Sequence, residues 1–481
     1  MNHHKIFLSI LVGAMLIGWG LRVYAAETSV LVLYKSSEKD TAEQNIFAYH
    51  LQAFAEEQGY MIVYHDIDKT LPSEEMMRNF QAITTVYNGS IMKNAKAYIH
   101  WLSEQILNKK KVIVIGNFGA FSPDGKEWYD GAVLNQFYYL LGLEFADNWT
   151  DDPKLISIKS KKTDMVEFEA KLTREHLTHY FTIKSLRPEN QILLSLTRSD
   201  LEDSESAVVV KTPVGGLAME NYVFTQVKGE TKKLLNLEQF FGTCLRDPIP
   251  RGAVPDRRIL ALYKTTEDTS SEKTLIARFL TKDLLALGYW PEYYPVDEDG
   301  IPAKKNMEAY HAILSWFRTP DMKDAEAYSD WLLTQIQDGR KVIIFGNFGA
   351  FGEKHGKEEA LADNPKLNEF LMRFGLEYKG NWTGDSNLLK VTQKKSEIVE
   401  HETALKQEDL RHYYEWESRY PENIVYLAVT RTDMPESESA FIIRTPFGGF
   451  AFEGYLYKSD PKTLEISFLL NRRQFLKECL E

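Results

Sequence analysis

One series of short motifs occurs twice along this chain of 481 residues, in the same order each time. Paired motifs lie 229 to 233 residues apart throughout, so few insertions separate the two series. Self-similarity at a fixed spacing indicates a repeated structural unit, and we therefore predict two tandem copies of one unit. The pairs are VLVLYKSSE (30–38) and ILALYKTTE (259–267), KVIVIGNFGAF (111–121) and KVIIFGNFGAF (341–351), NWT (148–150 and 381–383), and TPVGG (212–216) and TPFGG (445–449).

The predicted copies span 28–246 and 258–481, and a linker with three prolines occupies 247–257. Each copy divides again by its hydrophobic pattern. The first parts, 28–150 and 258–383, alternate strand and helix, whereas the second parts, 151–246 and 384–481, alternate apolar and polar residues as antiparallel strands do.

The first parts predict an α/β fold with a doubly wound parallel sheet. Short apolar runs such as 30–34, 82–87 and 111–115 are typical of strands buried on both faces. Helical spacing of apolar residues over 41–58 and 95–106 separates them. Alternation of this kind produces parallel sheets with right-handed crossovers, and the second parts are expected to add a β-rich antiparallel extension to each copy.

The N-terminus has the pattern of a secretory signal peptide over residues 1–25. Lys5 precedes a mostly apolar run at 6–21, and Val23-Tyr24-Ala25 supplies small residues before a cleavage point. We expect an exported protein, periplasmic or extracellular, with an uncleaved membrane anchor as the alternative.

The composition disfavours several classes of partner and cofactor. The net charge of −12 repels phosphate backbones, so no nucleic acid partner is expected. Neither an HExxH motif nor a cysteine cluster occurs in the sequence, and we expect no metal and no other cofactor.

The GNFGAF segment follows a buried strand in each copy, at the edge where doubly wound sheets bind ligands. Two interpretations remain open for its polar and aromatic residues. They contact a ligand, or the turn packs its phenylalanine under the edge of the sheet. The ligand-binding candidates are Asn117, Phe118, Asn347 and Phe348.

The run YxxWLxxQIxxxxKVIxxGNFGAF, present in both copies, resembles the segment that leads to the nucleophile elbow of class I glutamine amidotransferase-like domains. The resemblance implies a flavodoxin-like α/β fold. An elbow needs Cys or Ser, and this sequence has Asn117-Phe118 and Asn347-Phe348 there, so we expect no glutamine hydrolysis by that route.

Together with the leader and the TPxGG segment, the pattern resembles domains of this fold that lack the nucleophile in exported bacterial proteins associated with exopolysaccharides. The resemblance implies a non-catalytic protein that binds or scaffolds a polysaccharide, or its biosynthesis machinery, at the cell envelope. Two similar domains would then contact the partner.

A set of polar residues is repeated in the β-rich parts, and three roles are open for it. The residues form ion pairs at a strand end, bind a sugar, or catalyse glycoside hydrolysis with Glu220 and Asp200, or Glu453 and Asp433, as paired carboxylates. The remaining members of the set are Arg198, Glu205 and His179 in the first copy and Arg431, Glu438 and His412 in the second.

Trp149 and Trp382 lie in the repeated NWT triplets. An exposed tryptophan offers a flat apolar surface to a sugar ring, whereas a buried one anchors a core.

Cys244 and Cys479 occupy matching places in the last helix of each copy. In an oxidising compartment they form a disulfide, or else they are two separate buried thiols.

Overall fold

The computed structural model describes residues 28–119, 131–349, 364–410, 412–460, 462 and 465–481. The predicted signal peptide lies outside the described residues. The chain divides into two compact units, unit 1 at 1–253 and unit 2 at 254–481. None of the helices in the described ranges is long and apolar enough to cross a membrane.

Unit 1 contains twelve strands and six α-helices among its described residues. The strands are β1 (Thr28–Tyr34), β2 (Tyr60–Asp66), β3 (Ala82–Tyr87), β4 (Lys111–Gly116), β5 (Leu143–Thr150), β6 (Ile156–Lys161), β7 (Tyr180–Ser185), β8 (Gln191–Arg198), β9 (Ser206–Thr212), β10 (Gly215–Met219), β11 (Phe224–Val227) and β12 (Glu230–Lys233). The helices are α1 (Ile46–His50), α2 (Gln52–Glu57), α3 (Glu74–Met77), α4 (Ala95–Leu107), α5 (Gly131–Leu140) and α6 (Leu237–Arg246), with 3-10 turns at Ser36–Glu38, Arg174–His176 and Glu220–Tyr222.

Unit 2 contains a matching series over its own described residues. The strands are β13 (Arg257–Tyr263), β14 (Tyr289–Pro295), β15 (Tyr310–Phe317), β16 (Lys341–Gly346), β17 (Leu376–Thr383), β18 (Leu389–Lys394), β19 (Tyr413–Ser418), β20 (Ile424–Arg431), β21 (Met434–Thr445), β22 (Gly448–Phe452), β23 (Tyr457–Ser459) and β24 (Ile466–Phe468). The helices are α7 (Leu275–Phe279), α8 (Thr281–Ala286), α9 (Ala325–Gln337), α10 (Pro365–Phe374) and α11 (Arg472–Leu480), with 3-10 turns at Ser271–Lys273, Lys304–Ala309, Ser386–Leu388, Gln407–Asp409 and Glu453–Tyr455.

Each unit is built on one eight-stranded mixed sheet. The order in unit 1 is β2-β1-β3-β4-β10-β9-β8-β6, and in unit 2 it is β14-β13-β15-β16-β22-β21-β20-β18. In unit 1 the neighbours from β2 to β10 are parallel, and those from β10 to β6 are antiparallel. The fold is therefore α/β, and the predicted antiparallel extension continues the parallel sheet instead of forming a layer of its own.

The TPxGG segment explains how the extension joins the sheet. Gly215 starts β10 and pairs with Val112 of β4. Its φ is 145°, and a Cβ at this position would overlap the carbonyl oxygen of Val112. Gly448 has the same relation to Val342 in unit 2, with a φ of 137°. Only glycine allows so close an approach of two backbones, so the repeated segment has a structural purpose.

The core has the character that the sequence predicts for central parallel strands. Every residue of β3 and β4 is buried, as expected for strands covered on both faces.

The helix predicted over 41–58 is divided at Leu51, where φ is −131°. Its first part starts at Ile46 because the Asn45 side chain accepts the Ala48 N–H at 3.0 Å.

Of the two alternatives left open for the cysteines, the structure has the two separate buried thiols, because both cysteines are free and fully buried. Cys244 lies on α6 against its own sheet, where its Sγ would be 2.7 Å from a Cβ on Gly216. Cys479 on α11 packs against Gly449 in the same way. Each thiol is enclosed by the core of its own unit, and burial raises the pKa of Cys244 to about 12.

Candidate functional site

The carboxyl ends of β1, β3, β4 and β10 lie at one edge of the unit 1 sheet, since these strands are parallel neighbours. After β1 the chain first forms β2 on one side of β1 and later forms β3 on the other side. Doubly wound sheets bind ligands beyond the carboxyl ends of the strands at such a switch point.

The switch point itself is occupied by the side chain of Lys35, which follows β1. The Lys35 Nζ donates to the carbonyl oxygens of Gly89 at 2.6 Å and Ile91 at 3.0 Å, and forms an ion pair with Glu38. Glu38 in turn accepts the backbone N–H groups of Asn88 at 2.7 Å and Gly89 at 2.8 Å. The protein's own ammonium therefore holds together the loops that follow β1 and β3.

Lys264 does the same in unit 2, where its Nζ donates to the carbonyl oxygens of Thr319 at 3.0 Å and Asp321 at 2.9 Å. It pairs with Glu267 at 2.6 Å. The sequence carried a signal for this arrangement, because KSSE and KTTE end the first repeated motif. Sequence reasoning assigned no role to those residues.

The GNFG turn fixes Asn117 beside a carboxylate. Gly116 has a φ of 92°, and a Cβ there would overlap the Tyr87 carbonyl oxygen. The Asn117 side-chain amide donates to the Asn88 carbonyl oxygen at 2.6 Å and to the carboxylate of Glu220, which follows β10. Of the candidates in this turn, Asn117 therefore lies at the strand ends where a ligand would bind.

The phenylalanines of the same turns belong to the core. The Phe118 ring stacks on Phe137 with 4.7 Å between ring centroids, and the Phe348 ring stacks on Phe450 at 4.4 Å. Both side chains are buried. In unit 2 the Asn347 amide donates to the carbonyl oxygen of Arg318 at 2.8 Å.

Two carboxyl groups near the switch point have raised pKa values. Burial raises the pKa of Glu220 to about 7, although the hydrogen bond from Asn117 acts in the opposite direction. Burial and the nearby charge of Glu38 raise the pKa of Asp40 to about 6. The Asp40 Oδ2 atom is buried and has no hydrogen-bond partner among the described residues.

Both groups line an open cleft of about 420 Å³ at the carboxyl ends of the unit 1 strands, here called the unit 1 cleft. Its walls combine carboxyl, amide and hydroxyl groups with aromatic rings, a mixture typical of sites for small polar ligands. The lining residues are Asp40, Gln44, Asn45, Ile46, Tyr49, His50, Asn88, Glu220, Asn221, Phe224, Thr225, Gln226 and Thr231.

The corresponding place in unit 2 is filled by aromatic side chains. Trp316 precedes Phe317 in β15, as Val86 precedes Tyr87 in β3. The Trp316 ring stacks on Phe345 at 5.3 Å and lies 6.3 Å from the Tyr457 ring. Phe279 and Phe468 complete this cluster, each 6.4 Å from Trp316.

Glu453 of unit 2 has both carboxylate oxygens bonded within this cluster. It accepts the Trp316 indole N–H at 3.1 Å and the Tyr457 hydroxyl at 2.9 Å. Burial raises the pKa of Glu453, and these two hydrogen bonds offset part of the effect. The two units therefore share their strand order but differ at the strand ends.

Arg198 and Asp200 form a clamp on the NWT segment at the end of β5 and do not line the cleft. The Arg198 Nε and Nη2 donate to the two oxygens of Asp200 at 2.9 and 2.7 Å, and its Nη1 donates to the Asn148 carbonyl oxygen at 2.7 Å. Asn148 has a φ of 50°. Both oxygens of Asp200 are thus engaged, and the Arg198 partner lowers the pKa of Asp200.

Unit 2 repeats the clamp. The Arg431 Nη1 donates to the Asn381 carbonyl oxygen at 3.0 Å, and its Nε and Nη2 donate to Asp433 at 3.0 and 2.6 Å. Asn381 has a φ of 55°. In each clamp both aspartate oxygens are engaged by the arginine of the same unit.

The tryptophans of the two NWT segments are exposed. The exposed fraction is 47% for Trp149 and 38% for Trp382. His179 meets the Trp149 ring edge-on at 6.4 Å and contacts the amide of Asn221. His412 is also exposed, with a φ of 56°. Trp149 and Trp382 therefore belong to the surface and not to a core.

Comparison with solved structures finds glutamine amidotransferase-like and ThuA-like proteins at low identity. A glutamine amidotransferase from Thermotoga maritima is 10% identical over 44% of this chain and 76% of its own, with a TM-score of 0.21. A putative ThuA-like protein from Bacteroides uniformis is 15% identical over 39% of this chain and 78% of its own, with a TM-score of 0.23.

A glutamine amido transferase from Methylobacillus flagellatus is 10% identical over 39% of this chain and 66% of its own, with a TM-score of 0.22. Because all three TM-scores are low, we assign the α/β class of the fold from the strand order given above and not from these similarities. No curated protein matches the chain. Residues 249–472, most of unit 2, match the model of DUF2194, described as an uncharacterised protein conserved in bacteria.

Proposed function

We propose that this chain is an exported, non-catalytic protein of the cell envelope that binds a polysaccharide, or a component of the machinery that makes it. The unit 1 cleft is the binding site in this proposal. One observation carries it, namely an open cleft beyond the carboxyl ends of the strands whose amide and carboxyl groups stand beside aromatic rings. Such groups hydrogen-bond sugar hydroxyls, and rings cover the apolar face of a sugar.

The residues at the strand ends support binding in preference to catalysis. Asn117 stands in the turn where an amidotransferase-like fold carries a nucleophile, and an amide cannot attack a carbonyl carbon. Glu220 is bonded to that amide. Both oxygens of Asp200 are bonded to Arg198, so Asp200 is not free to pair with Glu220 as the hydrolase alternative requires.

The proposal gives the two units different roles. The repeated motifs and the shared strand order support a tandem duplication. The cluster around Trp316 fills the place of the cleft in unit 2, so one ligand per chain is expected at the strand ends. Location in the envelope is supported by the signal-peptide pattern of residues 1–25.

Calorimetric titration of the purified chain with oligosaccharides from bacterial exopolysaccharides tests this proposal, with new reducing ends assayed in the same samples. Asn88→Arg supplies a blocking variant, because Asn88 lines the cleft and unit 2 has Arg318 after its own β15. Asn79→Arg is the matched control, since Asn79 is exposed and lies outside the cleft.

We expect the oligosaccharide to bind the natural chain and the Asn79→Arg variant but not the Asn88→Arg variant. We expect no new reducing ends in any of these samples. Reducing ends that disappear in Glu220→Gln would establish the hydrolase instead. No heat with any oligosaccharide would overturn the proposal.

A further inference from the structure

We infer that the sugar taken by the unit 1 cleft is an aminohexose with a free, positively charged amine, bound between Asp40 and Glu220. This inference rests on the proposed function and names the class of its ligand. It follows from the charges and the unpaired acceptors of the cleft.

Asp40 supplies the first observation. Its Oδ2 atom is buried without a hydrogen-bond partner among the described residues. A buried polar atom without a partner costs free energy, most of all when it is charged. An ammonium group in the cleft would supply both a donor and an opposite charge.

The charges around the cleft supply the second observation. Its lining includes the two acids Asp40 and Glu220 but neither lysine nor arginine. The ammonium of Lys35, whose charge acts on both acids, is already bonded to Glu38 and to two backbone carbonyl oxygens. Burial and the charge of Lys233 lower the pKa of His50, which is therefore neutral at pH 7. The cleft thus has an acidic charge that its own residues do not balance.

The remaining lining residues fit a sugar better than a bare cation. No group of three or more metal-ligating side chains occurs in the part of the chain that the structure describes. Amide side chains such as Gln44 and Gln226 and the hydroxyl of Thr231 line the same cleft. The His50 and Phe224 rings lie 5.0 Å apart and form an apolar wall.

Unit 2 lacks the features that recognise an amine. In the sequence KTTEDT the position of Asp40 is taken by Thr269. Glu453 has donors on both oxygens. The inference therefore concerns unit 1 alone.

The test compares three trisaccharides of equal length, made of glucosamine, N-acetylglucosamine or glucose, titrated into the full chain at pH 7.5. A charge-assisted hydrogen bond contributes about 1.5–3 kcal/mol, so the glucosamine trimer should bind roughly tenfold or more tightly than either neutral trimer. Asp40→Asn combined with Glu220→Gln should reduce that preference to less than about threefold.

Asp164→Asn is the control, since Asp164 is an exposed acid of unit 1 outside the cleft. It should keep the full preference. If the doubly substituted variant keeps it too, the overall negative charge of the chain attracts the amine and the inference is overturned. Equal binding of all three trimers overturns the inference and leaves the proposed function standing, whereas no binding by any oligosaccharide tested overturns both.

Discussion

The side-chain amide of Asn117 donates a hydrogen bond to the carboxylate of Glu220, a residue 103 positions later in the sequence. The bond joins the turn after β4 to the end of β10, two strands that the glycines of TPxGG allow to pair. It places an amide and a carboxyl group side by side at this edge of the sheet, where Glu220 lines an open cleft.

Glu220→Gln should make unit 1 more stable at pH 8 and leave it nearly unchanged at pH 5. Burial raises the folded-state pKa of Glu220 from 4.5 to about 7. The folded state then holds a proton that the unfolded state releases, so stability falls as pH rises through this window. Each pKa unit corresponds to about 1.4 kcal/mol, and solvent screening at a half-open cleft reduces the gain at pH 8 to about 1–2 kcal/mol.

Hydrogen exchange in the peptides of β3 and β4 measures the free energy of unfolding of unit 1 at both pH values. Glu202→Gln is the control, because Glu202 is exposed on a turn. A Glu220→Gln variant that is less stable than the natural chain at pH 8 would contradict the raised pKa.

Lys35→Met should destabilise unit 1 by about 3–5 kcal/mol, because removal of one partner leaves a buried carboxylate without its counter-charge. The substitution removes the donor to the carbonyl oxygens of Gly89 and Ile91 and the counter-charge of Glu38. Adding Glu38→Gln should restore part of the loss, since the amide still accepts a hydrogen bond and carries no charge.

Hydrogen exchange of the β1 peptide in the two single variants and the double variant measures this coupling. Lys39→Met serves as the control, because Lys39 is exposed on the same turn. If the loss of stability in the double variant equals the sum of the losses in the two single variants, Lys35 and Glu38 act independently.

The parts of the fold that follow from local periodicity were predictable from the sequence. The strand expected over 82–87 has those bounds, and the helix expected from 95 spans Ala95–Leu107. The place of β10 was not predictable in this way. Its pairing with β4 spans a hundred residues and depends on a backbone approach that only glycine permits, which no window of periodicity reveals.

The candidate site was predictable in part. Asn117 and Glu220 were both selected, and they lie together at the cleft. Arg198 and Asp200 were grouped with Glu220 because these polar residues are repeated in both copies, yet Arg198 holds the left-handed backbone of Asn148 near the end of β5. Asp40 was missed because only its buried oxygen distinguishes it, and burial depends on contacts distant in sequence.

Asn148→Ala should destabilise unit 1 by about 1 kcal/mol through the end of β5, whereas Asn148→Gly should be nearly neutral. A left-handed backbone costs about 1–2 kcal/mol for a residue with a Cβ that has no local polar contact, and glycine avoids this cost. Chemical unfolding of the two variants measures the difference. Equal stability of both would show that the φ of 50° at Asn148 is not a constraint.

Both cysteines should react with a thiol reagent only after unfolding, with two thiols released per chain. The side chains of Cys244 and Cys479 are fully buried, and burial raises the pKa of both thiols, so little thiolate forms near neutral pH. Titration of the purified chain with and without denaturant, in the absence of reductant, counts them. If the titration detects no free thiol in denaturant, the two cysteines form a disulfide with each other.

Trp316→Val should destabilise unit 2 without giving it a binding site. Removal of the ring leaves a cavity among Phe279, Phe345 and Tyr457, and large-to-small changes of this kind cost about 3–5 kcal/mol. Glu453 also loses the donor that the indole supplied at 3.1 Å. The opened space would still lack an acid in the place of Asp40, where unit 2 has Thr269.

Hydrogen exchange of the β15 and β16 peptides reports the stability of unit 2, and calorimetry with the glucosamine trisaccharide reports new binding. Val86 stands at the matching place in β3 and leaves unit 1 open, so Val86→Leu is a control for a modest change of volume in a buried strand. A second equivalent of trisaccharide bound by Trp316→Val would mean that steric filling alone closes unit 2. A single equivalent would assign the difference between the units to both the aromatic cluster and the missing acid.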